Sequence, residues 1–168
     1  NDDLDKLVVG VAAGIRIYTN IKKAIQYIIS IHIPIILTVS LPLFLGWVYP
    51  HIFTPVHVIF LELIMGPTCS IVYENEPMEK GTMTRKPRRM TETFLKWKEL
   101  RLSIVQGLMI TLGVLFAYQL TVQQGGDEIT TRAMVFTTLI FANIWLSLVN
   151  RSFVYSVFES FKYKNKLF

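Results

Sequence analysis

The apolar residues of this chain are gathered into four long blocks and are not spread in amphipathic stripes. The blocks cover about residues 24–48, 55–72, 102–122 and 133–149. Each approaches the ~20 residues that a helix needs to cross a bilayer. A soluble four-helix bundle is disfavoured, because helices that are apolar on all sides have no face for water. The pattern therefore predicts an all-α membrane protein whose four transmembrane helices form a bundle.

The polar segments between the blocks predict how the helices are connected. Only residues 50–54 separate the first two blocks, so we expect these helices to form a tight hairpin. Trp47 and Tyr49 precede this link, and such aromatic pairs are typical of a membrane interface. A polar loop at 73–101 and a short turn at 123–132 make the other two connections. The expected domains are a linker at 1–23, a transmembrane transport domain at 24–149 and a tail at 150–168.

The positive charges of the chain lie almost entirely on one side of the predicted bundle. The formal net charge is +5, with 17 Lys and Arg residues. With an even number of spans, both termini and the long loop share a side, which holds 16 of the 17 and leaves Arg132 opposite. The positive-inside rule then predicts cytoplasmic termini for a multi-pass integral protein of the plasma (inner) membrane. We accordingly expect membrane lipid, and no nucleic acid, among the partners.

The sequence carries no pattern of soluble catalytic chemistry. It has no Gly-rich phosphate loop, no Cys/His metal cluster and no nucleophile–base pair. Its single cysteine, Cys69, lies inside an apolar block, so an internal disulfide is impossible. The chain begins Asn-Asp-Asp without an initiator Met, and we expect it to be a piece of a longer protein. Neither a cofactor nor an enzymatic activity of its own is expected.

Polar and helix-breaking residues inside the second block are candidates for function, because both are costly in a bilayer. Glu62 is the only acidic side chain in the four blocks, and Gly66 and Pro67 follow one helical turn later. A carboxylate beside an unwound helix, whose backbone offers carbonyl oxygens, can form an ion site. A buried carboxylate also tends to hold a proton when no cation is bound. The alternative is a protonated Glu62 that bonds a facing helix.

His32 and Pro34 lie midway along the first block. Pro34 cannot donate to the carbonyl of Ser30, so interrupted helices are predicted near Pro34 as well as near Gly66-Pro67. In the fourth block, Asn143 lies on one helical face with other polar residues. A packing kink at Pro34 and helix–helix hydrogen bonds at His32 and Asn143 are the alternatives. The candidate cation-site residues are Glu62, His32, Asn143 and, through its backbone, Gly66.

Three stretches resemble P-type ATPases of the calcium-pump type. Residues 14–25, Gly-Ile-Arg-Ile-Tyr-Thr-Asn-Ile-Lys-Lys-Ala-Ile, resemble the segment that joins the phosphorylation domain to the fifth transmembrane helix of these pumps. Residues 70–77, Ser-Ile-Val-Tyr-Glu-Asn-Glu-Pro, with Arg-Lys-Pro-Arg at 85–88, are similar to the end of the sixth helix. Residues 136–152 are similar to the eighth helix. The resemblance covers essentially the whole chain and implies helices five to eight, with 1–23 as the linker from the phosphorylation domain.

The resemblance also implies an ion site with altered ligands. His32 falls at the position of an Asn ligand in the fifth helix, Glu62 at that of an Asn in the sixth, and Asn143 at the ligand position of the eighth. Ile35 and Gly66 fall where calcium pumps carry acidic ligands. A calcium site rich in carboxylate oxygens is therefore not expected. A proton, a divalent metal, or calcium with help from backbone oxygens remain open.

These observations predict a transport-domain fragment of an ATP-driven P-type cation pump that forms part of the ion-binding site and pathway. The resemblance implies ATP and Mg²⁺ as cofactors of the full-length parent, whose remaining domains and helices, with a transported cation, would be the partners. The fragment alone should have no ATPase activity. The alternatives are a non-pumping tetraspan membrane scaffold or channel module, and a relative that moves lipid or protons.

Overall fold

The computed structural model describes residues 2–67, 71–78, 81–84 and 93–150, and within these ranges all regular secondary structure is helical. The all-α prediction is confirmed. Cys69, the Arg-Lys-Pro-Arg motif at 85–88 and the tail from residue 151 lie outside the described residues. The α-helices are α1 (Asp2–Phe44), α2 (Pro55–Pro67), α3 (Trp97–Gln123) and α4 (Glu128–Val149). A short 3-10 turn at Thr82–Thr84 lies between α2 and α3.

Three of the helices are long and apolar enough to cross a membrane, namely α1, α3 and α4. With 13 residues, α2 is shorter; at 1.5 Å per residue it is about 20 Å long. As described, α2 extends to Pro67, residues 68–70 lie outside the described residues, and residues 71–74 are again helical, beginning with π-helical turns. The interruption expected near Gly66-Pro67 stays a prediction. In the second apolar block, the described residues on both sides of 68–70 are therefore helical.

The helix α1 is much longer than the first apolar block. Its 43 residues give a length of about 64 Å, roughly twice the thickness of a bilayer's hydrocarbon core. Residues 2–23, expected as a linker, are helical and continuous with the first span. The interruption expected near Pro34 is wrong, because α1 passes through Pro34 and Pro42 without a break.

A glycine on α3 explains why α1 stays helical at Pro34. Pro34 leaves the carbonyl of Ser30 without a helical donor. This oxygen lies against Gly107, where a Cβ atom would be 2.9 Å from it and 2.8 Å from Ile33 Cβ. Only glycine permits so close an approach, and its Cα–H groups can make weak hydrogen bonds to the oxygen. The freed carbonyl is thus covered by α3 and does not require an unwound turn.

The helices α1 and α2 run antiparallel, as their cross-contacts show. His32 meets Glu62, whereas Asn20, 12 residues further from the link along α1, donates to the carbonyl of Glu76 at 2.8 Å. The expected hairpin is confirmed, with residues 45–54 as its link. The closest backbone packing of α1 is against α3, and α3 in turn packs against α4. The buried core contains Tyr27, Ile31, Leu61, Tyr73, Val114, Tyr118 and Leu139.

Hydrogen bonds join the α1–α2 link at 45–54 to the turn between α3 and α4 at 124–127, and both lie at the same end of the bundle. The Arg132 Nε donates to the carbonyl of Ile52 at 2.8 Å, and its guanidinium also pairs with Glu128. The Tyr49 amide donates to the Tyr118 hydroxyl at 2.8 Å, and the Tyr49 hydroxyl donates to the Gly126 carbonyl at 3.2 Å. Arg132, the basic residue expected alone on this side, therefore holds the α1–α2 link against α4.

The start of α4 is fixed by Asp127, its N-cap residue. The Asp127 carboxylate accepts a hydrogen bond from the Thr130 amide at 2.8 Å, as N-cap side chains commonly do. Hydrogen bonds from the side chain and backbone of Thr130 hold the pKa of the Asp127 carboxyl below its ordinary value. The cap sets where the turn after α3 stops and α4 begins.

Candidate cation site

His32 of α1 and Glu62 of α2 lie side by side in the middle of the apolar blocks. Their Nε2 and Oε1 atoms are 3.2 Å apart, within hydrogen-bonding range. The side chains are 41% and 47% exposed, respectively, so the described part of the chain covers only about half of the pair. The structure thus brings together two candidates that are 30 residues apart in sequence.

The geometry of this pair fits one proton shared between the two side chains. His32 Nδ1 lies 2.8 Å from the carbonyl oxygen of Ile28, and a carbonyl only accepts, so Nδ1 carries the hydrogen. Nε2 and the Glu62 carboxylate then both present lone pairs unless one further proton lies between them. A hydrogen bond at 3.2 Å therefore corresponds to either imidazolium with carboxylate or neutral imidazole with carboxylic acid. Both forms have zero net charge and hold one removable proton.

A groove of about 340 Å³ runs beside the pair, between α1 and α2. His32 and Glu62 line one end of it, and Asn20 and Glu74 line the end nearer the polar loop. The 12 residues from Asn20 to His32 correspond to about 18 Å along α1. Sequence reasoning missed Asn20 and Glu74, because they lie at the edges of the apolar blocks, where polar residues are ordinary. Only the antiparallel pairing of the first two blocks indicates that Asn20 and Glu74 lie near each other.

Gly66 and Pro67 form the last residues of α2 beside this groove. Pro67 has no amide hydrogen, so the carbonyl of Leu63, four residues earlier, receives no helical hydrogen bond from it. A free carbonyl one residue from Glu62 is a suitable oxygen ligand for a cation. The backbone directly after Pro67, at residues 68–70, lies outside the described part of the chain.

Asn143 of α4 is placed behind Met65 and does not line the groove of His32 and Glu62. Asn143 is only 4% exposed, and its Nδ2 lies 3.8 Å from the Met65 sulfur. No donor among the described residues bonds to its Oδ1. A small cavity of about 40 Å³ adjoins it and shares Met65 with the groove. Met65 therefore separates Asn143 from the other three candidates.

Three further polar residues, Gln106, Asn150 and Tyr73, take part in hydrogen bonds between helices. Gln106 of α3 accepts from the Ser30 hydroxyl at 3.2 Å and donates to the Asn150 side chain at 3.1 Å. The Tyr73 hydroxyl donates to the carbonyl of Ser147 at 3.0 Å. Gln106 and Asn150 thus join α1, α3 and α4.

A metal ion bound to this chain would find few side-chain ligands in one place. Across residues 2–67, 71–78, 81–84 and 93–150, no group of three His, Cys, Asp or Glu side chains is arranged to hold one. The His32–Glu62 pair offers one nitrogen and one carboxylate, and Gly66 and Leu63 offer backbone oxygens. Such a donor set has two side-chain ligands where divalent cations commonly take four to eight ligands in all.

The three long apolar helices indicate a multi-pass integral membrane protein. The sequence model described as "Cation transporting ATPase, C-terminus" matches residues 50–168, more than two thirds of the chain. The chain belongs to this family, and the resemblance to the membrane region of P-type cation ATPases is confirmed.

Curated relatives agree with this assignment over the whole chain. A calcium-transporting ATPase of Listeria monocytogenes is 29% identical over 166 residues, which is 99% of this chain and 18% of the relative. Calcium-transporting ATPase 1 of Lactococcus lactis is 30% identical over 152 residues, 90% of this chain and 17% of the relative. The human calcium-transporting ATPase type 2C member 1 is 23% identical over 168 residues, 100% of this chain and 18% of the relative. The chain thus spans less than a fifth of the length of these proteins.

Proposed function

We propose that this chain is the transport region of an ATP-driven P-type cation pump and that His32 and Glu62 bind the transported cation. The observation that carries the proposal is the 3.2 Å contact between their Nε2 and Oε1 atoms at the centre of the spans. A histidine and a glutamate at this depth are costly unless they are paired or used. Here they are paired with each other, at the side of a groove and one turn before Gly66 and Pro67.

Cation binding at this pair would release its shared proton. Both the Nε2 lone pair and the carboxylate oxygens must be free to bind a metal, so the cation replaces the proton one for one at this hydrogen bond. After the cation leaves on the far side of the membrane, a proton from that side restores the hydrogen bond. The pair would then never remain in the membrane as an uncompensated carboxylate.

The groove between α1 and α2 would give the cation access to the pair. It extends about 18 Å from His32 to Asn20 and Glu74, which lie beside the polar loop. Glu74 places a second carboxylate at that end, where it would attract cations before they reach Glu62. Orientation of this end to the cytoplasm, and location in the plasma (inner) membrane, are parts of the proposal.

Other domains and helices of the full-length protein would complete the pump. ATP and Mg²⁺, which the family implies, would act in the domains that hydrolyse ATP, and the resulting movement would open the site to each side in turn. Further helices of the same pump would cover the exposed side of His32 and Glu62 and add ligands. Asn143 would join the site when Met65 moves away from it.

The donor set of the pair favours a divalent metal of borderline character over calcium. Calcium takes six to eight oxygen ligands, and manganese also prefers oxygen, whereas imidazole nitrogen suits zinc and similar ions better. The relatives are named calcium-transporting, yet here a histidine replaces an oxygen donor, and Ile35 and Gly66 replace acidic ones. We therefore propose that Zn²⁺ activates the pump at lower concentration than Ca²⁺ does.

The test is ion-stimulated ATPase activity of the full-length protein that carries this chain. Glu62→Gln keeps the size and hydrogen bonding of the side chain but removes its charge, and it should abolish stimulation by each of Ca²⁺, Mn²⁺ and Zn²⁺. His32→Gln should weaken stimulation less, and its effect on Ca²⁺ should be the smallest, because calcium depends least on nitrogen.

The matched controls are Asp5→Asn and His51→Gln, which alter exposed residues away from the pair. Both should retain stimulated activity. Full ion-coupled activity in the Glu62→Gln protein would show that the pair only holds α1 to α2. A wild-type protein without any ion-stimulated ATPase activity would instead favour the non-pumping scaffold.

A further inference from the structure

A second groove, of about 710 Å³, lies at the end of the bundle where α3 begins and is separate from the His32–Glu62 pair. Lys22 of α1 lies on one side, and Lys96, Lys98 and Arg101 lie on the other. Glu99 is the only acidic residue among those that line it, so the lining carries four positive charges and one negative charge, a net charge of +3. Lys22 and Glu99 form an ion pair at 2.7 Å, which connects the two walls of the groove.

The floor of this groove is apolar and continues onto the membrane-facing surface of α3. Leu102 and Val105 line it, and they are 54% and 50% exposed. The seven residues from Lys98 to Val105 correspond to about 10 Å along the helix. That distance is similar to the step from the headgroup layer into the hydrocarbon, since the polar layers add about 5–8 Å on each side of the core. Trp97, exposed at the start of α3, lies where interfacial aromatic residues are typical.

We propose that this groove binds the headgroup of an anionic phospholipid, with the acyl chains along Leu102 and Val105. The lipid phosphate would contact Lys98 and Arg101, and the Lys22–Glu99 ion pair would form the inner wall. The combination of charge and depth favours a lipid over a soluble anion: a soluble anion uses the basic residues alone, whereas a lipid also covers the apolar floor. Basic side chains next to a span are attracted to anionic lipids in this way.

The proposal predicts a lipid preference that depends on two side chains. The full-length protein, purified in detergent and stripped of lipid, is titrated with phosphatidylglycerol or phosphatidylcholine, and bound lipid is counted by native mass spectrometry. The protein should bind phosphatidylglycerol preferentially, and added salt should weaken this binding. The double variant Lys98→Gln/Arg101→Gln should bind it roughly 25-fold more weakly, about fivefold for each charge removed.

Two further variants keep the test decisive. Lys98→Arg/Arg101→Lys preserves the charge and should preserve the preference, which shows that the groove tolerates substitution. Lys6→Gln/Arg16→Gln removes the same charge from exposed positions of α1 outside the groove, and it should also bind as the unchanged protein does. An equal loss of binding in this control pair would overturn the proposal, because the attraction would then depend on net charge alone. Displacement of the lipid by glycerol phosphate at equal concentration would also overturn it, by revealing a site for soluble anions.

Discussion

Asn143 carries a buried side-chain oxygen that receives no hydrogen bond from the residues described. A buried acceptor without a donor destabilises a protein by about 1–3 kcal/mol. The side chains of Gln106 and Asn150, by contrast, hydrogen-bond each other, and the buried atom of Asn150 that lacks a partner is its Nδ2, a donor. The unpaired atom of Asn143 is an amide oxygen, which a cation would accept as a ligand.

Substitution Asn143→Leu separates the two roles that the sequence leaves open for Asn143. Leucine removes the unpaired oxygen, and the adjoining cavity of about 40 Å³ gives its larger side chain room. We expect the cation-free protein to be as stable as before or more stable by about 1 kcal/mol, measured by thermal unfolding in detergent. The apparent affinity for the activating cation should fall about tenfold.

Gln106→Leu is the control for this prediction, because it removes the hydrogen bonds to Ser30 and Asn150. It should lower the unfolding temperature and leave cation affinity unchanged. If Asn143→Leu instead lowered stability and left affinity unchanged, Asn143 would be a helix-packing residue.

Individual residues also show where sequence reasoning stops. Glu62 and His32 could be found because a charged or titratable group in an apolar block is conspicuous, and the structure pairs them. The position of Asn143 relative to this pair could not be found, since Met65, the apolar side chain between them, carries no signal in the sequence. The assignment of all four residues to one cation site stays a prediction.

Among the helices, the closest contact joins α1 to α3 at Gly107. The sequence predicts an interruption at Pro34 from the loss of one hydrogen-bond donor, which is a local argument. Whether a freed carbonyl unwinds a helix depends on the helix packed against it. Here Gly107, 77 residues after Ser30, allows α3 to cover the Ser30 carbonyl. Pairings of this kind are decided by tertiary packing, so the continuity at Pro34 could not be predicted. The break expected near Pro67 stays a prediction.

The α1–α3 contact predicts that Gly107→Ala is destabilising. The added Cβ would lie 2.8 Å from Ile33 Cβ and 2.9 Å from the Ser30 oxygen, so the two helices must move apart. Overpacking of this kind costs typically about 1–3 kcal/mol, and we expect a lower unfolding temperature in detergent.

Gly113→Ala provides a matched control within α3, since a Cβ at that position meets nothing within 4 Å. It should be neutral or slightly stabilising, because alanine favours a helix more than glycine does by about 1 kcal/mol. Equal unfolding temperatures for the two variants would contradict the close α1–α3 contact.

For the whole molecule, the two ends of the bundle differ in chemistry. At one end, α1 continues about 30 Å beyond a bilayer's hydrocarbon core. The Lys22–Glu99 ion pair and the basic groove lie where α1 enters this core. At the other end, the two short links are closed by Arg132, Tyr49 and Tyr118. The one-sided charge of the sequence predicts this difference. The hydrogen bonds between the two links join residues 69 to 80 positions apart, so no local pattern in the sequence indicates them.

This asymmetry predicts which positions are reachable from outside a cell. In a full-length protein whose Cys69 is replaced by Ser, single cysteines are introduced by Val48→Cys and Gln124→Cys in the two links, and by Thr93→Cys beside the basic groove. All three positions are exposed.

A membrane-impermeant maleimide should label residues 48 and 124 in intact cells, because the hydrogen bonds of Arg132 and Tyr49 hold both links at one end. It should label residue 93 only after the membrane is permeabilised, because the positive-inside rule places the basic end in the cytoplasm. Labelling of residue 93 together with residue 124 in intact cells would contradict the single span, α3, that lies between them, and also the proposed orientation.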